Sequence, residues 1–272
     1  MDVSDRRIGP TGGPYLDDTR FSITPRAAED VLRQGFLMLA TYAAYDFSRT
    51  LVKGRQTVAM ENGTFFMNLE KTLGMYWEPW IQARISAVDP LMSFLIWAYD
   101  SFHLPFIIGS LIWVFTQHRD RWTLFRNWFL GMNFMALVMF YLLPTAPPRM
   151  IFTSGMVDSH YLHGVRSEIF DNGILGNPYA AMPSLHFGYA LFVALILCLL
   201  VRQRWLRWGA FAYPVLVLVS IVATGNHFII DAVAGGLVVL AAYVFAVNLK
   251  AGQSGRLIEP EPAVVPVHER DG

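Results

Sequence analysis

Three short segments of the chain carry side chains that together could transfer a phosphoryl group. They are Pro144–Arg149, Asn177–His186 and Thr224–Asp231. His227 and Asp231 are four residues apart, so on a helix the carboxylate can hold one imidazole nitrogen while the other nitrogen faces a substrate. This spacing favours attack by His227 on phosphorus. An unperturbed imidazole titrates at about 6.5, so His186 could protonate the leaving group. The residue types therefore predict phosphoryl transfer in which two histidines divide the work.

A phosphate-binding site is predicted beside the two histidines. Pro183 suits the first turn of a helix, which would place Ser184 where free backbone N–H groups attract anions. Asn226 is expected at the start of the last helix, and Arg149 at the end of another. A guanidinium group binds phosphate oxygens well because it donates two parallel hydrogen bonds. Arg149, Ser184 and Asn226 are therefore the candidate phosphate-binding residues.

Each of these residues taken alone has a structural alternative, because a single histidine or aspartate at a helix end is often a cap or an interface anchor. The residues taken together favour a functional site over separate structural roles. Ionisable residues at a membrane are costly and are commonly functional. His186, His227, Asp231 and Arg149 all fall at predicted helix ends on one face of the membrane. We therefore interpret the four residues as one site.

The composition predicts an integral membrane protein. Hydrophobic residues make up 54% of the 272 residues and charged residues 15%, whereas soluble domains contain about one quarter charged residues. The apolar residues form runs long enough to cross a bilayer. The chain holds 21 basic and 21 acidic residues, so no overall field recruits nucleic acid. The expected partners are the bilayer and a lipid substrate.

An all-α bundle of six membrane helices follows from windows of about 20 mostly apolar residues. The six candidate spans are Val31–Val52, Met92–Phe115, Asn127–Leu143, Leu185–Val201, Trp208–Thr224 and Ile229–Leu249. Met92–Phe115 is expected to bend at Pro105, because proline removes a backbone donor; two short hairpin helices are the alternative. Val31–Val52 carries several charged residues, among them Asp46, and could instead lie at the interface.

These spans divide the chain into three regions. Residues 1–30 are predicted to be a polar cytoplasmic segment, residues 31–249 the membrane catalytic domain, and residues 250–272 a disordered cytoplasmic tail. Residues 53–90 combine aromatic side chains with scattered charges, which is typical of a helix at headgroup level. We therefore expect an interfacial helix in the first outward loop.

Orientation follows from the basic residues in short loops. His118–Arg121 and Arg202–Arg207 are both basic and are separated by two predicted spans, so both loops are expected to face the cytoplasm. The three segments that carry the chemistry then face outward. The prediction is an extracytoplasmic active site, in the plasma membrane.

The residues also permit two other functions, transport and binding without catalysis, and the presence of both histidines and Asp231 argues against the second. A transporter or scramblase could use Asp46, Asp100 and His103 as an intramembrane path, although polar links between helices explain these residues equally. The signature residues cluster at one rim, and the chain shows no inverted halves, which argues against transport. His160 and His163, with Asp158 nearby, could suggest a zinc site. No cysteine or third strong ligand accompanies the two histidines, which argues against zinc. We predict no metal and no cofactor.

At its three segments the chain resembles the type-2 phosphatidic acid phosphatase superfamily of membrane lipid phosphatases and phosphotransferases. Pro-Pro-Arg149, Met-Pro-Ser-Leu-His186 and Gly-Asn-His227-x-x-x-Asp231 look like the branch that contains the inositol phosphorylceramide synthases. The resemblance implies a six-helix core and a metal-independent mechanism. It implies His227 as the nucleophile that forms a phosphohistidine, Asp231 as its orienting partner and His186 as the proton donor. Ser184 and Arg149 would hold phosphate oxygens, and water or an alcohol such as inositol would accept the phosphoryl group.

Two positions depart from the superfamily pattern. Leu142 stands where a lysine precedes the first-motif arginine by seven residues, and Ile221 stands where an arginine precedes the nucleophilic histidine by six. One explanation is a basic group from another part of the chain. The candidates are Lys71, Arg84 and Arg166. The other explanation is a substrate with less charge on phosphorus, as in a diester, which favours headgroup transfer.

Overall fold

The structure is a computed structural model that describes residues 25–51, 54–164 and 178–256. It is all-helical, with 79% helix and no strand among the described residues. Two compact units are distinguished, residues 1–40 and residues 41–272. The first contributes only the beginning of one helix to the described part, and every residue discussed below belongs to the second.

The described helices range from four to 28 residues in length. They are α1 (Pro25–Leu51), α2 (Gln56–Thr72), α3 (Glu78–Ser86), α4 (Asp89–Ser101), α5 (His103–Gln117), α6 (Trp122–Leu142), α7 (Ser159–Leu162), α8 (Leu185–Leu200), α9 (Arg204–Ala210), α10 (Ala212–Ala223) and α11 (Ile229–Arg256). Two 3-10 turns, Pro148–Met150 and Phe152–Ser154, follow α6.

Two helical stretches in the described part are long and apolar enough to cross a membrane, Arg204–Ala223 and Ile229–Leu249. The pair α4 and α5 makes a third candidate if it is one bent span. Helix α8 is equally apolar but only 16 residues long. The structure thus supports an integral membrane protein with two or three clear candidate spans.

The bend between α4 and α5 measures 45° and lies at the break after Ser101, not at Pro105 as expected. The bend lies before Pro105 for a steric reason. In a continuous helix the ring of Pro105 would clash with the carbonyl of the residue four positions earlier, which is Ser101. The helix therefore breaks one turn before the proline, and Pro105 lies in the first turn of α5, where its missing N–H costs nothing.

Helix α11 packs against both α6 and α8. The fully buried Trp128 of α6 donates its indole N–H to the carbonyl of Val239, at 2.7 Å. Gly188 of α8 lies against the same turn, where a Cβ would be 3.5 Å from Val239 Cγ2. This packing brings the beginning of α8 beside the beginning of α11.

Several helix ends meet in one place. The Ser184 backbone N–H, just before α8, donates to the Asp231 carbonyl of α11 at 2.9 Å. The Arg149 N–H, after α6, donates to the Gly225 carbonyl after α10 at 3.0 Å. Segment 144–146 also pairs with segment 179–181 through a parallel bridge at Thr145. The three segments that the sequence analysis singled out are therefore joined by backbone hydrogen bonds.

Candidate active site

His227 lies in the turn between α10 and α11 and is 4% exposed. Its Nδ1 is 2.8 Å from the carbonyl oxygen of Ala181 and 3.4 Å from Asp231 Oδ2. Both neighbours are hydrogen-bond acceptors, so in the neutral ring the proton belongs on Nδ1. The lone pair is then on Nε2, which is the form a nucleophilic imidazole requires.

Asp231 reaches His227 in a different way from the expected one. Helix α11 begins at Ile229, as does the predicted span Ile229–Leu249, but Asn226 was expected at the helix start, and both Asn226 and His227 precede the helix. Asp231 Oδ2 accepts the Phe228 backbone N–H at 2.9 Å, which is how the third residue of a helix closes its own N-terminus. The same oxygen faces His227, because the chain turns tightly back over the cap. Contact between the two residues was correctly expected, but a helix cap produces it and not a shared helical face.

His186 lies in the first turn of α8, and its ring centroid is 5.7 Å from that of His227. Tyr99 stacks on the His186 ring at 4.4 Å, and His103 meets it edge-on at 4.6 Å. The His186 ring is thus held by aromatic groups from α4 and α5 within reach of a group bound to His227. His103 was read as either a path residue or a link between helices, and its contact with His186 makes it such a link.

Arg149 lies in the 3-10 turn after α6, and its side chain is 17% exposed. Its Nε is 3.3 Å from Asp158 Oδ2, and Nη1 donates to Asn226 Oδ1. Gly225 has φ +75°, and a Cβ there would lie 3.1 Å from Arg149 Cβ. The close approach of these two turns sets the guanidinium beside the segment that carries His227.

Ser184 and Asn226 have local hydrogen bonds of their own. Ser184 is the fully buried N-cap of α8, and its hydroxyl oxygen accepts the Phe187 N–H at 3.4 Å. The hydroxyl proton remains able to donate to a phosphate oxygen. Asn226 accepts from Arg149 and donates to Thr224 Oγ1 at 2.7 Å. Its side-chain contacts therefore position Arg149.

The residues considered for a zinc site or a transport path have other contacts or lie outside the described part. His160 Nε2 lies 3.4 Å from Asp100 Oδ1, and His163 Nδ1 lies 2.9 Å from the Ser159 carbonyl. Among the described residues no group of three or more His, Cys, Asp or Glu side chains is arranged to hold a metal. The side chain of Asp46 lies outside the part that is described.

The three basic residues considered as additional phosphate clamps have other surroundings or are not described. Lys71 Nζ lies 5.0 Å from the centre of the Tyr76 ring. The exposed Arg84 lies over the Trp80 ring at 5.5 Å. Arg166 is outside the described residues. Of the basic residues considered, Arg149 is the one whose described contacts reach the segment that carries His227, through Gly225 and Asn226.

Three buried residues of α2 and α3 were not predicted from the sequence. Gln82 donates to the carbonyls of Val157 and Ala223, each at 2.9 Å, and so fixes the loop that carries Asp158. Glu70 and Glu78 are fully buried and accept backbone N–H groups of α11. The available signal was the presence of carboxylates in a chain with few charged residues, because each such group needs a partner once buried.

Asp231→Asn is expected to lower kcat by between about tenfold and a hundredfold, as for partners that orient a catalytic or metal-bound histidine. The loss is moderate because the Ala181 carbonyl, at 2.8 Å, still holds the proton on Nδ1. Steady-state kinetics on the purified variant measure it. A loss of 10,000-fold or more would show that the carbonyl does not maintain the tautomer.

Arg149→Lys is expected to lower kcat/KM by roughly tenfold to a hundredfold, because a lysine cannot contact two partners and a phosphate with a planar group. The matched control is Arg84→Lys, on an exposed arginine of α3, which is expected to stay within about twofold of the parent. Equal kinetics for the two variants would mean that Arg149 does not bind the substrate phosphate.

Comparison with known proteins adds an independent finding to this geometry. The family model of the PAP2 superfamily matches residues 64–245. No curated protein and no solved structure matches the chain at the significance required. The matched range holds both histidines, Asp231, Arg149 and the two buried glutamates. The chain therefore belongs to the PAP2 superfamily, the type-2 phosphatidic acid phosphatases, and is a phosphatase-type enzyme for lipid phosphates in the membrane.

Proposed function

We propose that the chain transfers a phosphoryl group from a membrane lipid through a phosphohistidine at His227. The observation that carries the proposal is the pair of acceptors at Nδ1, the Ala181 carbonyl at 2.8 Å and Asp231 at 3.4 Å. They leave Nε2 unprotonated. The His186 ring, 5.7 Å away, supplies the second functional group.

The first step forms a bond between His227 Nε2 and phosphorus and breaks the bond from phosphorus to the leaving oxygen. His186 donates its proton to that oxygen, so the departing group leaves as a neutral alcohol. In the second step water or an alcohol attacks the phosphohistidine and gives its proton to His186. The phosphoryl group leaves His227, and both histidines return to their starting states.

Arg149 and Ser184 are proposed to hold the non-bridging phosphate oxygens, and Asn226 to hold Arg149 in place. The guanidinium and the N-terminus of α8 together attract negative charge that develops on phosphorus. Leu142 and Ile221 replace two basic residues of the superfamily pattern. We infer a phosphodiester as substrate, because a diester needs fewer cationic contacts, and the resemblance to the inositol phosphorylceramide synthase-like branch supports headgroup transfer. An inositol-type alcohol is our proposed acceptor. The chemistry needs no metal.

Six spans with an interfacial helix remain our proposal for the membrane arrangement. Residues 31–249 would form the catalytic domain, between a cytoplasmic N-terminal segment and a cytoplasmic tail. In the structure α4 and α5 supply one bent candidate span. The basic loops support an active site on the extracytoplasmic face, and we propose the plasma membrane as its location.

The test uses the purified chain in mixed lipid micelles that contain a chelator. One sample receives a lipid phosphate monoester, and the other receives a phospholipid together with inositol. Free phosphate from the monoester identifies a phosphatase, whereas a new inositol phosphodiester identifies a headgroup transferase. Either product in chelator supports metal-independent phosphoryl transfer. Absence of both products, or activity that only a divalent cation restores, contradicts the proposal.

A further inference from the structure

Two glutamates of the first outward loop meet at the beginning of α11. Glu70 Oε1 accepts the Ile230 N–H at 2.7 Å, and Glu78 Oε1 accepts the Ile229 N–H at 2.9 Å. Both side chains are fully buried. The first N–H groups of a helix have no partner within the helix, so these two carboxyl groups supply partners from α2 and α3.

The second carboxyl oxygens of Glu70 and Glu78 could each serve as the hydrogen-bond partner of the other. Glu70 Oε2 and Glu78 Oε2 are buried and have no hydrogen-bond donor within the described part of the chain. The first oxygens of the two carboxyl groups accept the N–H groups of adjacent residues, Ile229 and Ile230, so the two buried carboxyl groups lie side by side. Two ionised carboxylates in this position would repel, whereas one shared proton satisfies both oxygens.

The charges around the pair favour this shared proton. Helix α2 lies outside the candidate spans, and burial, followed by the neighbouring Glu78, raises the pKa of Glu70 to about 9. The other ionisable groups that face the pair are Asp231 of α11 and Tyr76, and Lys71 lies over the Tyr76 ring. The Ile230 N–H acts in the opposite direction and stabilises the carboxylate.

We propose that Glu70 and Glu78 form a proton-sharing carboxyl pair that positions His227 by holding the first turn of α11. Asp231 holds the Phe228 N–H, and the pair holds the next two N–H groups, so three carboxyl groups fix three consecutive residues after His227. The single negative charge of the pair also opposes the positive helix end. Both glutamates act through the backbone and do not contact substrate.

This inference rests on the proposed function for its kinetic test, which compares a neutral, isosteric replacement of Glu70 with its truncation to alanine. Glu70→Gln keeps an oxygen for the Ile230 N–H and an amide that donates to Glu78, so kcat at neutral pH is expected to stay within about threefold of the parent. Glu70→Ala leaves an N–H and a carboxylate without partners, and kcat is expected to fall by at least about tenfold. Glu61→Gln, on an exposed glutamate of α2, is the control and should match the parent.

The pH profile separates positioning from simple packing. In the parent, loss of the shared proton near pH 9 places two carboxylates side by side, so kcat is expected to fall above that pH. Glu70→Gln has no such proton to lose, and its kcat should stay level through the same range. Glu61→Gln should keep the parent profile.

A stability measurement tests the pair independently of any activity. Because the pKa of Glu70 rises from 4.5 to about 9 on folding, the folded state binds an extra proton between these values. The contribution to stability is therefore complete below pH 4.5 and is lost as the pH rises to about 9. The thermal midpoint of the parent in micelles should fall across this window more steeply than that of Glu70→Gln.

The outcomes distinguish the two proposals. If no lipid is turned over but the two midpoints diverge with pH as expected, the proposed function fails and the carboxyl pair stands. If Glu70→Gln and the parent show the same pH dependence of kcat and of thermal midpoint, the pair is overturned. A folded Glu70→Ala variant with parental kcat overturns its positioning role in the same way.

Discussion

His227→Ala is expected to lower kcat by at least about 10,000-fold, because the proposed reaction has no other group that can form the bond to phosphorus. His227 Nε2 is the nitrogen left free by the Ala181 and Asp231 contacts at Nδ1. The His186 ring contacts the rings of Tyr99 and His103, and its proposed role is proton transfer to the leaving oxygen. The measurement is product formation from the lipid that the parent turns over.

The matched control is His118→Ala. His118 follows α5, whereas His103 beside the site begins it, and a 15-residue helix separates the two by roughly 20 Å. The control should keep parental kcat. Activity of His227→Ala within a hundredfold of the parent would assign the bond-forming step to another group.

Gly235→Ala is expected to lower kcat by at least about a hundredfold. A Cβ at Gly235 would lie 2.3 Å from the Ser184 carbonyl oxygen, a backbone atom that has no rotamer by which to move away. The beginning of α8 would have to separate from α11 and carry His186 away from His227. Displacements of about 1 Å at a reacting centre cost on the order of a hundredfold in rate.

The neighbouring glycine is an unusually close control. A Cβ at Gly236 would meet Leu191 and Phe187 at 3.6 Å, which is ordinary contact. Both substitutions bring the same gain in helix propensity, about 1 kcal/mol. Gly236→Ala should therefore keep parental kcat with thermal stability at least equal to that of the parent, while Gly235→Ala loses both. Similar behaviour of the two variants would mean that α8 and α11 do not cross this closely.

The residues of the candidate site could be predicted from the sequence, whereas the groups that hold them in place could not. His227, His186, Asp231 and Arg149 were recognisable because ionisable side chains at the ends of apolar runs are rare. The structure brings these residues together, and their chemical roles remain predictions. The Ala181 carbonyl was not recognisable, because every residue has a carbonyl and only the folded chain decides which one meets His227 Nδ1.

Glu70 and Glu78 were missed for a related reason. A glutamate in a loop helix usually faces solvent, and its burial here depends on α2 and α3 folding onto the start of α11. The position of the break before α5 was also not predicted from the sequence. Pro105 predicted a bend, but the clash of its ring with the Ser101 carbonyl lies one turn earlier, so the helix bends there.

The most direct test of the central claim is to look for the phosphohistidine itself. The parent, His227→Ala and His118→Ala are mixed with lipid labelled at phosphorus and quenched in alkaline detergent. The account predicts a label on the parent and on His118→Ala that survives alkali, is lost in acid and maps to His227. The same label on His227→Ala, or a label on the parent that maps to another residue, would contradict the account.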